Sequence, residues 1–157
     1  MIDLLRIDDR LIHAQVVIGW GRVLHPDRII AADDEVASDE WLRNQYLTAT
    51  QHEFKVSILS LQDAVDQIAG GVFDSEKVIL LVKGPKDVVR LMDLGLPVEE
   101  VNVGGLHYSE GKERILDFVY LNEADRTALR ELVKRGVTLE ARALPENDSV
   151  ILNSRVV

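Results

Sequence analysis

The segment Lys77–Val82 reads KVILLV, apolar from its second residue to its last. A run this short with no polar side belongs in the middle of a sheet covered on both faces. Strands of that kind are usually parallel, and parallel strands need crossover connections, most often helices. The rest of the chain follows suit. Ile2–Ile7, Arg28–Ala32, Lys55–Leu59, Val101–Val103, Ile115–Leu121 and Val137–Ala143 are short β-branched or Leu-rich runs that read as further strands. Between them lie helical patterns. One runs from near His13 to about Val23, and a second, capped by Ser38-Asp39-Glu40, extends towards Thr50. LQDAVDQIA follows the cap Ser60, with Leu61, Ala64, Val65 and Ile68 at helical spacing. KDVVRLMDL follows the Gly84-Pro85 turn, and a last helix runs from the cap Asn122 to about Arg135. The expected fold is α/β: a mostly parallel twisted sheet with helices on both faces, in a single domain spanning residues 1–157.

Ligands of such sheets bind at the carboxyl ends of the strands. That rule selects Asp8–Gln15, Ala32–Val36, Lys83–Pro85 and Gly104–Gly111. Composition bounds what they can hold. A net charge of −9 with no basic run disfavours nucleic acid and anionic membrane surfaces. It leaves room for a local phosphate pocket. With no cysteine, disulfides, thiolate catalysis and Cys-ligated metals are excluded. No apolar run approaches the roughly 18–20 residues of a bilayer crossing, and MIDLLRIDDR lacks the apolar segment of a signal peptide. A cytoplasmic protein with no membrane insertion is expected.

Arg6-Ile-Asp-Asp-Arg10-Leu-Ile-His13-Ala-Gln15-Val is the richest of the four segments. It leaves the first strand and enters a helix, where unpaired N–H groups and the positive end of the dipole suit phosphate oxygens. The same field favours a neutral imidazole with one nitrogen free to attack phosphorus. Arg10 can lie on the same side and neutralise phosphoryl oxygens. An acidic neighbour such as Asp9 can fix a tautomer or position Arg10; spacing alone does not choose between these. Read without context, the cluster also suits an exposed loop with a solvated histidine.

The string RIDDRLIHAQV resembles the phosphorylation motif of IIB components in the mannose/fructose/sorbose family of the phosphoenolpyruvate-dependent sugar phosphotransferase system. Asp33–Trp41, Leu80–Leu91, Val101–Ile115 and Val119–Pro145 resemble later parts of the same family, so the likeness covers nearly the whole chain. It implies a phosphoryl carrier with His13 as phosphoacceptor through Nδ1. It also implies phosphoryl contacts from Arg10 and the backbone around Ile12, Ala14 and Gln15, with Arg6 and Asp9 in support. The partners implied are a phosphorylated IIA protein, the membrane IIC/IID permease and its sugar, and no cofactor is implied. The protein would be membrane-associated only through these partners. A regulatory phosphoacceptor without sugar transport is the alternative. Ala14 stands where the family usually has glycine, and the linker Ala49–Glu53 lacks a proline the family often has.

His107, in GGLHYSEG, is expected at the same end of the sheet, lining the pocket, touching a partner or bonded to backbone. His25 and His52 read as surface residues. Asp33, Asp34 and Glu35, together with Asp8 and Asp9, offer hard oxygens of the kind magnesium prefers, but consecutive loop acids are usually solvated, and no metal site is assigned. Neither Gly104-Gly105 nor Gly84-Pro85 completes a nucleotide-binding motif. Trp20 and Trp41, both on expected helices, are assigned to packing.

Overall fold

The computed structural model describes residues 2–49 and 54–156. Five parallel strands come first: β1 (Ile2–Asp8), β2 (Arg28–Ala32), β3 (Lys55–Leu59), β4 (Val78–Val82) and β5 (Glu100–Gly105). The hairpin β6 (Glu113–Leu116) and β7 (Val119–Leu121) follows, then β8 (Thr138–Ala141) and the short β9 (Val150–Ile151). The main sheet has the order β3-β2-β4-β1-β5-β8-β9, parallel except for β9. The all-apolar run is β4, deep in the sheet between β2 and β1.

Strand periodicity sorts side chains to two faces. Val78, Leu80 and Val82 of β4 join Ile30 and Ala32 of β2 in one core, whereas Ile79 and Leu81 join Ile29 and Ala31 in the other. The first face is covered by α4 (Leu61–Ala69), α5 (Pro85–Asp93) and α6 (Glu123–Lys134). These helices contribute Leu61, Ala64, Val65, Val88, Leu91, Leu129 and Leu132. Val16 and Trp20 cover the second face from a π-helical segment, Gln15–Trp20, that runs into α1 (Gly21–Leu24). Val36 of α2 (Asp34–Ser38) and Leu42 of α3 (Glu40–Ala49) complete that layer. Each fully buried Leu or Ile contributes roughly 1.5–3 kcal/mol.

Several expectations need correction. The segment expected as one helix from His13 to Val23 opens as a π-helix and becomes α-helical only at Gly21. Ile115–Leu121 is not one strand, because Asp117 and Phe118 turn it into the antiparallel β6–β7 pair. Val137–Ala143 shortens to Thr138–Ala141, with the carbonyls of Arg142 and Ala143 turned to a side chain on β1. Trp20 is 3% exposed, but Trp41 is 67% exposed and packs in no core. Helical spacing could not tell which face of α3 meets the sheet. The linker Ala49–Glu53 with His52, and the helix end at Thr50, fall at or beyond the edge of the described residues.

Position in the sheet matters most at β1. The chain leaving β1 continues to β2 on one side, and the chain leaving β5 continues to β8 on the other. Connections that diverge in this way open a crevice between the carboxyl ends of two adjacent strands. β1 and β5 also approach closely, because a Cβ at Gly104 would land on the guanidinium of the fully buried Arg6. Gly104→Ala should therefore destabilise the protein by about 3 kcal/mol, the upper range for overpacking a filled core. Urea denaturation measures it, and a loss below about 0.5 kcal/mol would mean that Arg6 moves aside freely.

Candidate active site

At the end of β1 the chain reverses through a turn in which the Leu11 N–H donates to the Asp8 carbonyl at 2.9 Å. Leu11 sits at φ 54, in the left-handed region. A leucine there costs about 1–2 kcal/mol, offset by its fully buried side chain. Ile12 is also buried, so its side chain packs in the core and does not enter the crevice. His13 follows at the mouth, its carbonyl accepting from the N–H groups of Val16 and Val17 at 3.1 and 3.0 Å. Ala14 has φ −55 and ψ −39, an ordinary right-handed helical conformation, so its Cβ adds no strain. The N–H groups of Ala14 and Gln15 have no protein partner among the described residues, as expected at a helix start.

Asp8 organises the site. Its Oδ2 lies 2.7 Å from Nε2 of His13 and accepts from Nε and Nη2 of Arg6 at 3.3 and 3.2 Å. Its Oδ1 accepts from the Arg10 N–H at 3.1 Å. A carboxylate is an acceptor only, so the hydrogen bond places the ring proton of neutral His13 on Nε2 and leaves a lone pair on Nδ1. Burial pushes the Asp8 carboxyl up, but His13, Arg6 and the Arg10 N–H together outweigh it and hold it below its ordinary value of 3.8. It stays ionised.

Arg6 is spent entirely on structure. Beyond Asp8 it donates through Nη1 to Asn102 Oδ1 at 2.6 Å and to the Arg142 carbonyl at 3.0 Å, and through Nη2 to the Ala143 carbonyl at 3.1 Å. All five of its N–H donors are thereby used. Its guanidinium also lies 5.4 Å from the Trp20 ring, and Asn102 donates to Glu140 at 2.9 Å. Burial lowers the Arg6 pKa despite the raising effect of Asp8.

Asp9 does not touch His13. Its Oδ2 accepts the His107 N–H at 2.7 Å, and its Oδ1 lies 2.6 Å from His107 Nδ1. The structure thus brings His107 to the crevice, and its bond is to Asp9 rather than to backbone. Arg10 is exposed, with Nη2 3.4 Å from Gln15 Oε1, so its guanidinium lies alongside the first helical turn. The acids after β2 serve as caps: Asp33 accepts from the Val36 N–H and Asp34 from the Leu61 N–H.

Sequence reasoning missed Asp8 and offered Asp9 as the acid that fixes the histidine tautomer. A signal was available. Residues i and i+2 of a strand share a face, so Arg6 and Asp8 had to point the same way, towards the side that the following helix covers.

The whole of this site lies inside a family match. Residues 2–155 fit the family described as "PTS system sorbose subfamily IIB component". The chain belongs to that family. The sorbose-specific EIIB component of Klebsiella pneumoniae is 36% identical over 99% of this chain and 94% of that protein. The fructose-specific EIIB component of Bacillus subtilis is 34% identical over 94% and 91% of the two chains. The mannose-specific EIIAB component of Escherichia coli is 34% identical over 90% of this chain and 44% of that protein. The crystal structure of the IIBSor domain of the Klebsiella pneumoniae sorbose permease superposes with a TM-score of 0.91 at 35% identity, covering 99% and 96% of the two chains. Members of this IIB family are components of the sugar phosphotransferase system, so phosphoryl transfer is the class of reaction in which the chain takes part.

Because folding favours ionised Asp8, its contribution to the stability of this IIB component is complete above the ordinary carboxylate pKa of 3.8 and is lost as pH falls below it. Asp8→Asn should lower stability at neutral pH by on the order of 3 kcal/mol, since Arg6 loses its counter-charge. It should also flatten that part of the acid-unfolding curve. Urea denaturation at a series of pH values checks both, and an unchanged acid limb would contradict the assignment.

Proposed function

We propose that this IIB component accepts a phosphoryl group on Nδ1 of His13 from a phosphorylated IIA protein. It then passes the group to a sugar carried in by membrane IIC/IID partners. The single observation that carries the reading is the Asp8–His13 hydrogen bond, within a motif that resembles the family's phosphorylation motif. It leaves Nδ1 as the nucleophilic nitrogen before any donor arrives.

The remaining roles follow from what is free to act. Arg6 has no donor left, so it holds Asp8 and does not touch phosphate. Arg10 keeps an exposed guanidinium beside the helix start, suited to the charged oxygens of an in-line transfer. The open N–H groups of Ala14 and Gln15 can receive the same oxygens, with Ile12 contributing backbone alone. Catalysis in this reading is positioning and charge neutralisation. No helix among the described residues is long and apolar enough to cross a membrane. That suits a carrier working at the cytoplasmic face as one domain and meeting the membrane through its partners.

The test is direct. Purified protein is incubated with a phosphorylated IIA donor carrying labelled phosphate, and the acid-labile label is mapped. Wild-type protein should carry it on His13, and His13→Ala should reduce uptake to background. Arg10→Ala should fold normally and slow uptake by about 100-fold, the loss of roughly 2.7 kcal/mol of transition-state stabilisation. Unchanged uptake in His13→Ala would end the proposal.

A further inference from the structure

Two consecutive aspartates each hold one imidazole, by opposite nitrogens. Asp8 takes Nε2 of His13 and leaves Nδ1 unbonded, whereas Asp9 takes Nδ1 of His107 and leaves Nε2 unbonded among the described residues. Asp9 also grips the His107 backbone N–H, so that ring is fixed at two points. The His107 side chain is 46% exposed, and its Nε2 has no protein partner among the described residues. The two loops meet across Gly105, which strand register places opposite Asp8. A Cβ on Gly105 would stand 3.1 Å from His107 Cε1 and 3.2 Å from Asp8 Oδ1. The ring edge next to Nε2 therefore borders the same narrow gap as the carboxylate that holds His13.

The two transfers differ in their protons. When phosphate moves from a donor histidine to Nδ1 of His13, one ring nitrogen replaces another and no proton need be removed from the acceptor. A sugar hydroxyl must lose its proton when it takes phosphate. Asp8 cannot accept that proton readily, because Arg6, His13 and the Arg10 N–H already fill its oxygens and hold it ionised. Arg10 has no lone pair to offer.

We infer that His107, backed by Asp9, is the general base for the sugar step. The inference rests on His13 being the phosphoacceptor. The sugar oxygen forms its bond to phosphorus as the Nδ1–P bond of phospho-His13 breaks, and the electron pair of that bond returns to Nδ1. The hydroxyl proton passes to Nε2 of His107, and Asp9 steadies the resulting imidazolium as an aspartate does in a hydrolase triad. Asp9 is a positioning residue in this scheme, and His107 a catalytic one.

The two half-reactions are measured separately on the full chain. His107→Asn keeps a side-chain N–H for Asp9 and removes the base. Loading from labelled phospho-IIA should stay within about twofold of wild type. Discharge of phospho-His13 should fall about 100-fold, within the usual contribution of a general base. Discharge is followed with membranes carrying the IIC and IID proteins and whichever of fructose, sorbose, mannose or N-acetylgalactosamine the wild type phosphorylates. Asp9→Asn should lower discharge in the same direction with a smaller loss. Discharge at the wild-type rate in His107→Asn would overturn the inference. So would an equal loss of loading and discharge, which would make His107 a docking residue. Absence of label on His13 in wild-type protein would instead remove the underlying reading, so the two failures are told apart.

Discussion

The buried contact between Arg6 and Asp8 is the constraint on which the rest of this structure depends. Taking a guanidinium and a carboxylate out of water costs several kcal/mol per ion. The cost is met only because every Arg6 donor has an acceptor and because Asp8 stays ionised. Those acceptors come from three places: β1 itself, Asn102 on β5, and the carbonyls of Arg142 and Ala143 after β8. Gly104 leaves the room, and Trp20, its Nε1–H donating to the Ala143 carbonyl at 3.0 Å, closes the open side. One ion pair thus clamps the strands at the switch point before any ligand is present.

The motif makes sense as strand geometry. Arg6 and Asp8 alternate with the core residues Leu5 and Ile7, so the charged pair faces one side of β1 and the apolar pair the other. Asp9 is the first residue beyond the strand and is free to turn away, which is how it reaches His107 across the β5 loop. Two adjacent residues of one type therefore hold two different rings. Exchanging their environments would need the strand to end one residue earlier.

Much of this was legible in the chain, and the parts that were not have physical reasons. The alternation of strands and helices, the caps Ser60 and Asn122, and the four candidate loops follow from period and end signals that act locally. His107 at the crevice followed from the rule that loops at strand carboxyl ends gather. The choice between Asp8 and Asp9 did not follow, because it depends on where β1 stops pairing with β5, a contact between residues almost a hundred positions apart. Trp41 failed for a similar reason: helical spacing gives a face, and only the sheet says whether that face is covered. The π-helical opening after Ala14 has no signal that we recognise in the residues.

An aspartate against the ring of the proposed phosphoacceptor raises an electrostatic question, since a bare carboxylate there would repel phosphoryl oxygens approaching it. The geometry removes most of that repulsion. Arg6 sits 3.2 Å from the same oxygen that holds His13, so from the crevice the two charges are felt as a dipole whose field falls faster than that of a lone anion. Asp9 is likewise engaged with His107, and Arg10 remains as the exposed cation beside His13. A chain of net charge −9 can in this way present a mouth that is not acidic. The carboxylate supplies orientation, and the buried arginine behind it cancels the charge that orientation would otherwise bring.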